Sequence, residues 1–177
     1  MLLTNDGYAI IRKYFGTLSQ SQVDGIELIV SKANDYDWSY PECAYGLATA
    51  WHETATKMQP VTEYGSDAYL RGLRYYPYIG RGLVQITWEA NYKKFGDLLK
   101  VDLVNNPNKA LDEDISLNIM FEGMTKGLFT GLGYNRLKIG RYDRQSYIKA
   151  RRIINGTDQA EKIADAAMAF ERALRSF

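Results

Sequence analysis

Tyr40-Pro41-Glu42-Cys43-Ala44-Tyr45-Gly46-Leu47-Ala48-Thr49-Ala50-Trp51-His52-Glu53-Thr54-Ala55-Thr56-Lys57 reads as one helix that carries an acid. Pro41 suits the first turn, where its missing N–H costs nothing. The helical pattern runs to about Lys57. At about 100° per residue, Ala44, Leu47, Ala48, Trp51 and Ala55 share one stripe, the core face. Glu53 falls about 180° from Ala44, beside Gly46 and Thr49. An acid opposite an apolar stripe reads either as a solvated helix face or as the wall of a cleft. On the second reading, Gly46 lets a ligand approach the helix backbone closely.

Helical periodicity extends to both sides. Residues 4–15 place Ile10, Ile11 and Phe15 near helical spacing. Residues 19–33 do so with Val23, Ile26, Leu28, Ile29 and Val30, opened by Ser19 as an N-cap. Helices are also expected at about 88–99, 108–127, 144–154 and 158–176, with a loop over 128–143. Asp158 and Glu161 have the spacing of a capping box for the last of these. Residues 58–87 differ, because Pro60, Gly65, Gly72, Pro77, Gly80 and Gly82 interrupt any helix. The sum is a mainly α chain with one irregular or short-stranded β excursion around 58–87. Such stretches inside a compact domain are usually functional.

The 177 residues fit a single domain. A chain of this size buries roughly 70% of its unfolded surface and needs no metal or disulfide to fold. Lys+Arg number 22 and Asp+Glu 21, leaving +1, which argues against a nucleic-acid partner. Tyr outnumbers Phe by 14 to 6, and tyrosine suits wet, half-buried surfaces. Cys43 and His52 are the only residues of their types. An internal disulfide, a Cys-rich zinc site and a multi-histidine metal site are therefore excluded within one chain, and no cofactor is expected. Met1 to Asp6 lack the pattern of a secretory signal, so folding in a cytoplasm is expected.

The Trp51-His52-Glu53-Thr54 segment invites a zinc-protease reading, which fails because position 56 is Thr rather than the second His that the motif needs. Cys43 and His52 are about 900° apart on the helix, on opposite faces, so they form no thiol–imidazole dyad. Gly80-Arg81-Gly82 has Gln85 where a dinucleotide fingerprint needs its third glycine, and no nucleophile elbow or phosphate loop occurs. Paired carboxylates remain. A turn at Pro60 can bring Glu63 to face Glu53, and glycoside hydrolysis needs two carboxyl groups in different environments. Many acidic pairs in proteins share this separation, so the spacing alone is a weak signal.

Tyr78-Ile79-Gly80-Arg81-Gly82-Leu83-Val84-Gln85-Ile86-Thr87-Trp88, followed by Asn91-Tyr92, resembles the signature of the family 19 glycoside hydrolases. His52-Glu53-Thr54 resembles the segment around that family's catalytic acid. Asn106-Pro107 with Ala110, and Ile154-Asn155-Gly156, resemble later family segments, so the likeness runs from about 40 to 175. The short form without disulfides is most similar to phage endolysins and prophage lysozymes, within the chitinase-like, lysozyme-like superfamily.

The resemblance implies a lysozyme-like helical domain with two lobes and a cleft, spanning 1–177 as one catalytic domain without a separate wall-binding module. It implies that Glu53 is the general acid, that Glu63 activates a water, and that Thr87 helps hold that water. Tyr78, Gln85, Asn91 and Asn155 then stand at saccharide-contacting positions, and Arg81 orients the acid or the loop. Thr87 also has a plainer reading as the cap of the helix starting at Trp88, and Asn155 as a helix C-terminal turn. Tyr64, Tyr69, Tyr75 and Tyr76 are either a sugar-stacking wall or packing.

The implied activity is hydrolysis of β-1,4 bonds in bacterial peptidoglycan, with inversion, by a monomeric lysis enzyme. It would be held in the host bacterial cytoplasm until released to the wall by a membrane-permeabilising partner. Chitinase activity is the alternative, and a non-catalytic glycan-binding module is a rival that the two acids disfavour. Between Arg136 and Arg152 seven basic residues accompany one acid, Asp143. This reads as a solvated face or as attraction to an anionic envelope surface.

Overall fold

The computed structural model describes residues 1–177. Eight α-helices carry the fold: α1 (Asn5–Phe15), α2 (Gln20–Asp35), α3 (Tyr40–Glu53), α4 (Asp67–Arg71), α5 (Glu89–Leu99), α6 (Glu113–Lys126), α7 (Arg144–Ala150) and α8 (Ala160–Leu174). Two strands, β1 (Val61–Thr62) and β2 (Arg81–Gly82), pair antiparallel within the irregular excursion. Short 3-10 turns lie at Pro107–Leu111 and Arg151–Ile153. The mainly α expectation holds, and the strands lie in the expected excursion; that stretch also contains the short helix α4, capped by Ser66 between Gly65 and Gly72, where no helix was expected.

Ser19 caps α2 in a reciprocal capping box with Gln22, and Ser39 does the same for α3 with Glu42. Pro41 sits in the first turn of α3. From Pro41 to Ala50 every residue of α3 is buried, so the helix is enclosed on all sides rather than along one stripe. A large apolar side chain buried this completely, such as Leu47, contributes roughly 1.5–3 kcal/mol. Helix α8 packs on α1, α3 and α7 and ties the two ends of the chain together.

Four sequence expectations are corrected. Helix α3 stops at Glu53, not near Lys57. The buried Thr54 hydroxyl donates to the Ala50 carbonyl and accepts the Met58 N–H, while Ala55, Thr56 and Met58 all take positive φ. The chain thus turns sharply off the helix and leaves Glu53 at its end. Gly46 admits no ligand; a Cβ there would lie 2.6 Å from the Trp38 ring, so the glycine makes room for that ring. The segment 108–127 is two elements, because the Asp112 carboxylate caps a new helix at the Ile115 N–H. Helix α8 has no capping box: its N-cap is Gln159 in the left-handed region, without a side-chain cap bond.

Candidate active site

A cleft of about 340 Å³ is lined by Glu53, Tyr75, Val84, Gln85, Ile86, Thr87, Trp88, Asn91, Phe129, Ile154 and Asn155. The end of α3 supplies the acid, the excursion supplies one wall, and the turn after α7 supplies the other. Larger hollows exist: one runs over Tyr14, Ile148 and the start of α8, at about 660 Å³. Neither it nor the apolar hollow beside Trp51 and His52 is lined by Glu53, and Glu63 lines none of the three. His52 thus turns to the hollow behind the cleft, and burial holds its imidazole below the usual value.

Glu53 accepts a hydrogen bond from the Arg151 guanidinium, Nη1 to Oε1, at 2.8 Å. The Arg151 side chain is 3% exposed and that of Glu53 17%, so the pair is largely withdrawn from water. Arg151 is fixed from its other end, where Nε donates to the Asp158 carbonyl at 2.8 Å. The carboxylate is therefore held in one place by a cation with little freedom of its own. No reading of the sequence singled out Arg151; its only signal was membership of the basic run. That run is also less available than its composition suggests, since Arg144 pairs with Asp165 at 2.6 Å.

Glu63 follows β1 directly, and the hairpin register sets it. Its backbone N–H donates to the Gly80 carbonyl, and the Gly80 N–H returns a bond to Oε2 at 2.9 Å. The Tyr75 hydroxyl, from the cleft wall, donates to Oε1 at 2.8 Å. Burial, then the Glu63 carboxylate, pushes the Tyr75 hydroxyl up to about 12, so it remains a donor at neutral pH. The two acids thus differ in kind of partner: a cation holds Glu53, and neutral N–H and O–H donors hold Glu63. Tyr75→Phe keeps the ring's packing on Trp88 and removes one donor. A hydrogen bond to a charged group is worth about 1.5–3 kcal/mol of stability, so the melting temperature should fall by several degrees, and kcat should fall as well where Glu63 acts as the base. Steady-state kinetics beside thermal denaturation checks this.

The remaining expected site residues divide. Thr87 lines the cleft and donates to the Gln85 carbonyl at 3.1 Å; it caps nothing, since the N-cap of α5 is Trp88, without a side-chain cap bond. Asn91 lines the cleft and donates to the Thr87 carbonyl. Gln85 lines the cleft, but its amide N–H groups go to the Val61 and Gly82 carbonyls, closing the hairpin. Asn155 lines the far wall, its Oδ1 accepting the Gly156 N–H. Tyr78 lies outside the cleft lining, packed on Tyr92, with its hydroxyl donating to Val104 O at 3.4 Å. Arg81, 6% exposed, donates to the Pro77 carbonyl and to the Tyr92 hydroxyl. It therefore orients the loop, while the acid is oriented by Arg151.

Gln85 and Trp88 both have positive φ, at 56° and 76°. For such side chains this costs about 1–3 kcal/mol each and persists only where surrounding structure imposes it. Gly82 at φ 90° relieves the same turn; a Cβ there would lie 2.7 Å from the Ser116 hydroxyl oxygen. No group of His, Cys, Asp and Glu is placed to hold a metal ion.

No protein-family model and no curated protein matches the sequence. Solved structures do match. Chitinase C from Streptomyces griseus HUT6037 superposes with TM-score 0.61 at 20% identity, over 94% of this chain and 90% of that one. The fold is that of the family 19 chitinases. A mutant of chitinase C gives TM-score 0.63 at 19% identity, over 98% and 96% of the two chains. A further bacterial family 19 chitinase gives 0.54 at 22% identity, over 99% of this chain and 88% of that one. The family 19 fold is thus matched along nearly the whole of this chain and most of each neighbouring chain.

Proposed function

We propose that the protein is an inverting glycoside hydrolase that cleaves β-1,4 bonds of bacterial peptidoglycan, acting as a phage-type endolysin. The observation that carries the hydrolase reading is a cleft that displays Glu53 and is flanked by a second carboxylate, Glu63, bound through the cleft-wall hydroxyl of Tyr75. Glu53 gives a proton to the leaving oxygen. Glu63 takes one from the attacking water, which Thr87 helps to hold. The leaving group departs on one side of the sugar while water attacks the other, so the anomeric centre inverts. No metal takes part. The single catalytic domain works as a monomer, reaching the wall from the host cytoplasm once a membrane-permeabilising partner opens the way.

Chitin is the second reading, favoured by the names of the structural neighbours, which are chitinases. Clearing of outer-membrane-stripped bacteria beside clearing of colloidal chitin separates the two, and activity on neither leaves only a glycan-binding role. Proton NMR of a soluble glycan digest, read before mutarotation, tests the mechanism. The first products are α-anomers with ordinary reducing ends. A β-anomer appearing first, or an anhydro end, removes the water-activating role from Glu63.

A further inference from the structure

Trp88 is 43% exposed, lines the cleft, and is held at positive φ. The Tyr75 ring packs against it at 5.1 Å between centroids, and the Arg74 guanidinium lies over it, 5.1 Å from the ring centre. Arg74 forms no ion pair; no carboxylate of the chain neutralises it, Glu89 beside Trp88 included. Arg81 and Arg151, by contrast, are engaged, the first in its loop and the second on Glu53. A free guanidinium seated on an aromatic face is oriented without being neutralised, and its fork of donors matches a carboxylate.

A polymer of N-acetylglucosamine is neutral and offers such a group nothing. A peptidoglycan strand carries carboxylates on the substituents of alternate sugars. We propose that Arg74, seated over Trp88 beside the cleft, is a specificity-determining residue that binds a carboxylate carried by the glycan and so selects acidic strands over neutral ones. The inference rests on the hydrolase reading and deepens its peptidoglycan form.

Two matched substrate pairs test it: native against carbodiimide-amidated peptidoglycan, and carboxymethyl chitin against glycol chitin. In each pair the backbone is common and the substituent is charged in one member and neutral in the other. The readout is the ratio of kcat/KM on the acidic member to that on the neutral one, for the wild type, Arg74→Gln and Arg74→Lys. An exposed ion pair is worth up to about fivefold, so Arg74→Gln should lower the ratio by about three- to fivefold at low ionic strength. Arg74→Lys should keep part of the preference, and the wild-type preference should fade toward 1 M salt, where the screening length is about 3 Å. An unchanged ratio in Arg74→Gln overturns the proposal, as does an equal loss on both members, which would mean that Arg74 only braces Trp88. Cleavage of the chitin pair alone defeats the peptidoglycan reading while the ratio still decides Arg74. Cleavage of neither pair defeats both.

Discussion

Glu53→Gln should lower kcat by at least about 10²–10⁴-fold, the usual contribution of a positioned general acid, with the fold intact. The amide keeps the size of the side chain, and its oxygen still accepts from Arg151 Nη1, so the geometry at the end of α3 is retained. On the proposed mechanism, what is lost is the proton for the leaving oxygen. Arg151 then sits near a neutral partner, but its Nε bond to the Asp158 carbonyl is untouched, which limits the structural cost. Turbidity loss of stripped cells, measured beside circular dichroism and a thermal melt, separates the two effects. A folded variant that still lyses cells would take the role of acid away from Glu53.

Arg151→Ala should produce the largest loss of stability among single changes around the cleft. It removes the cation from a pair in which neither side chain is more than 17% exposed. It also removes the donor to Asp158 O and opens space behind the acid. Breaking a buried pair from one side typically costs about 3–5 kcal/mol, because the surviving charge is left without its partner. Glu53 retains some contact with solvent, which places the expectation near the lower end, about 3 kcal/mol. For a chain of this size that is a melting-temperature drop of roughly 10 °C. Activity should fall too, since Glu53 is no longer held. The double variant with Glu53→Gln should be less destabilised than the sum of the two single changes, because each removes the same interaction. Additive losses would mean that the pair does not couple.

The two buried arginines near the site have different jobs. Arg81 is as deeply placed as Arg151 but serves the loop: its guanidinium bonds the Pro77 and Ile79 carbonyls and the Tyr92 hydroxyl. Both arginines were legible as cations. Which one faces the acid was not, because Arg151 and Glu53 stand 98 residues apart in the chain.

The sequence by itself determined the features governed by short-range rules. The helical repeat of apolar residues marked the helices, Ser19 marked the start of α2, and Pro41 fell in the first turn of α3. The prolines and glycines of 58–87 marked the excursion. All of these depend on contacts within a few residues, where backbone sterics and local hydrogen bonds decide. The cleft-lining residues around Glu53 and Thr87 were legible only through the resemblance of their segments to the family 19 signature. Tertiary structure decided the rest. Whether Gly46 served a ligand or a neighbour depended on where Trp38 lay. The end of α3 at Glu53 depended on α2 as well as on Thr54: Gln22 donates to the Thr56 carbonyl and Gly25 makes room for Met58, so the turn is held where the helical pattern ran on. The partner of each acid depended on packing: α8 and the turn after α7 deliver Arg151, and the β1–β2 register delivers Gly80 and its neighbours to Glu63. Charge carries no address along the chain, so only the folded arrangement selects which cation meets which carboxylate.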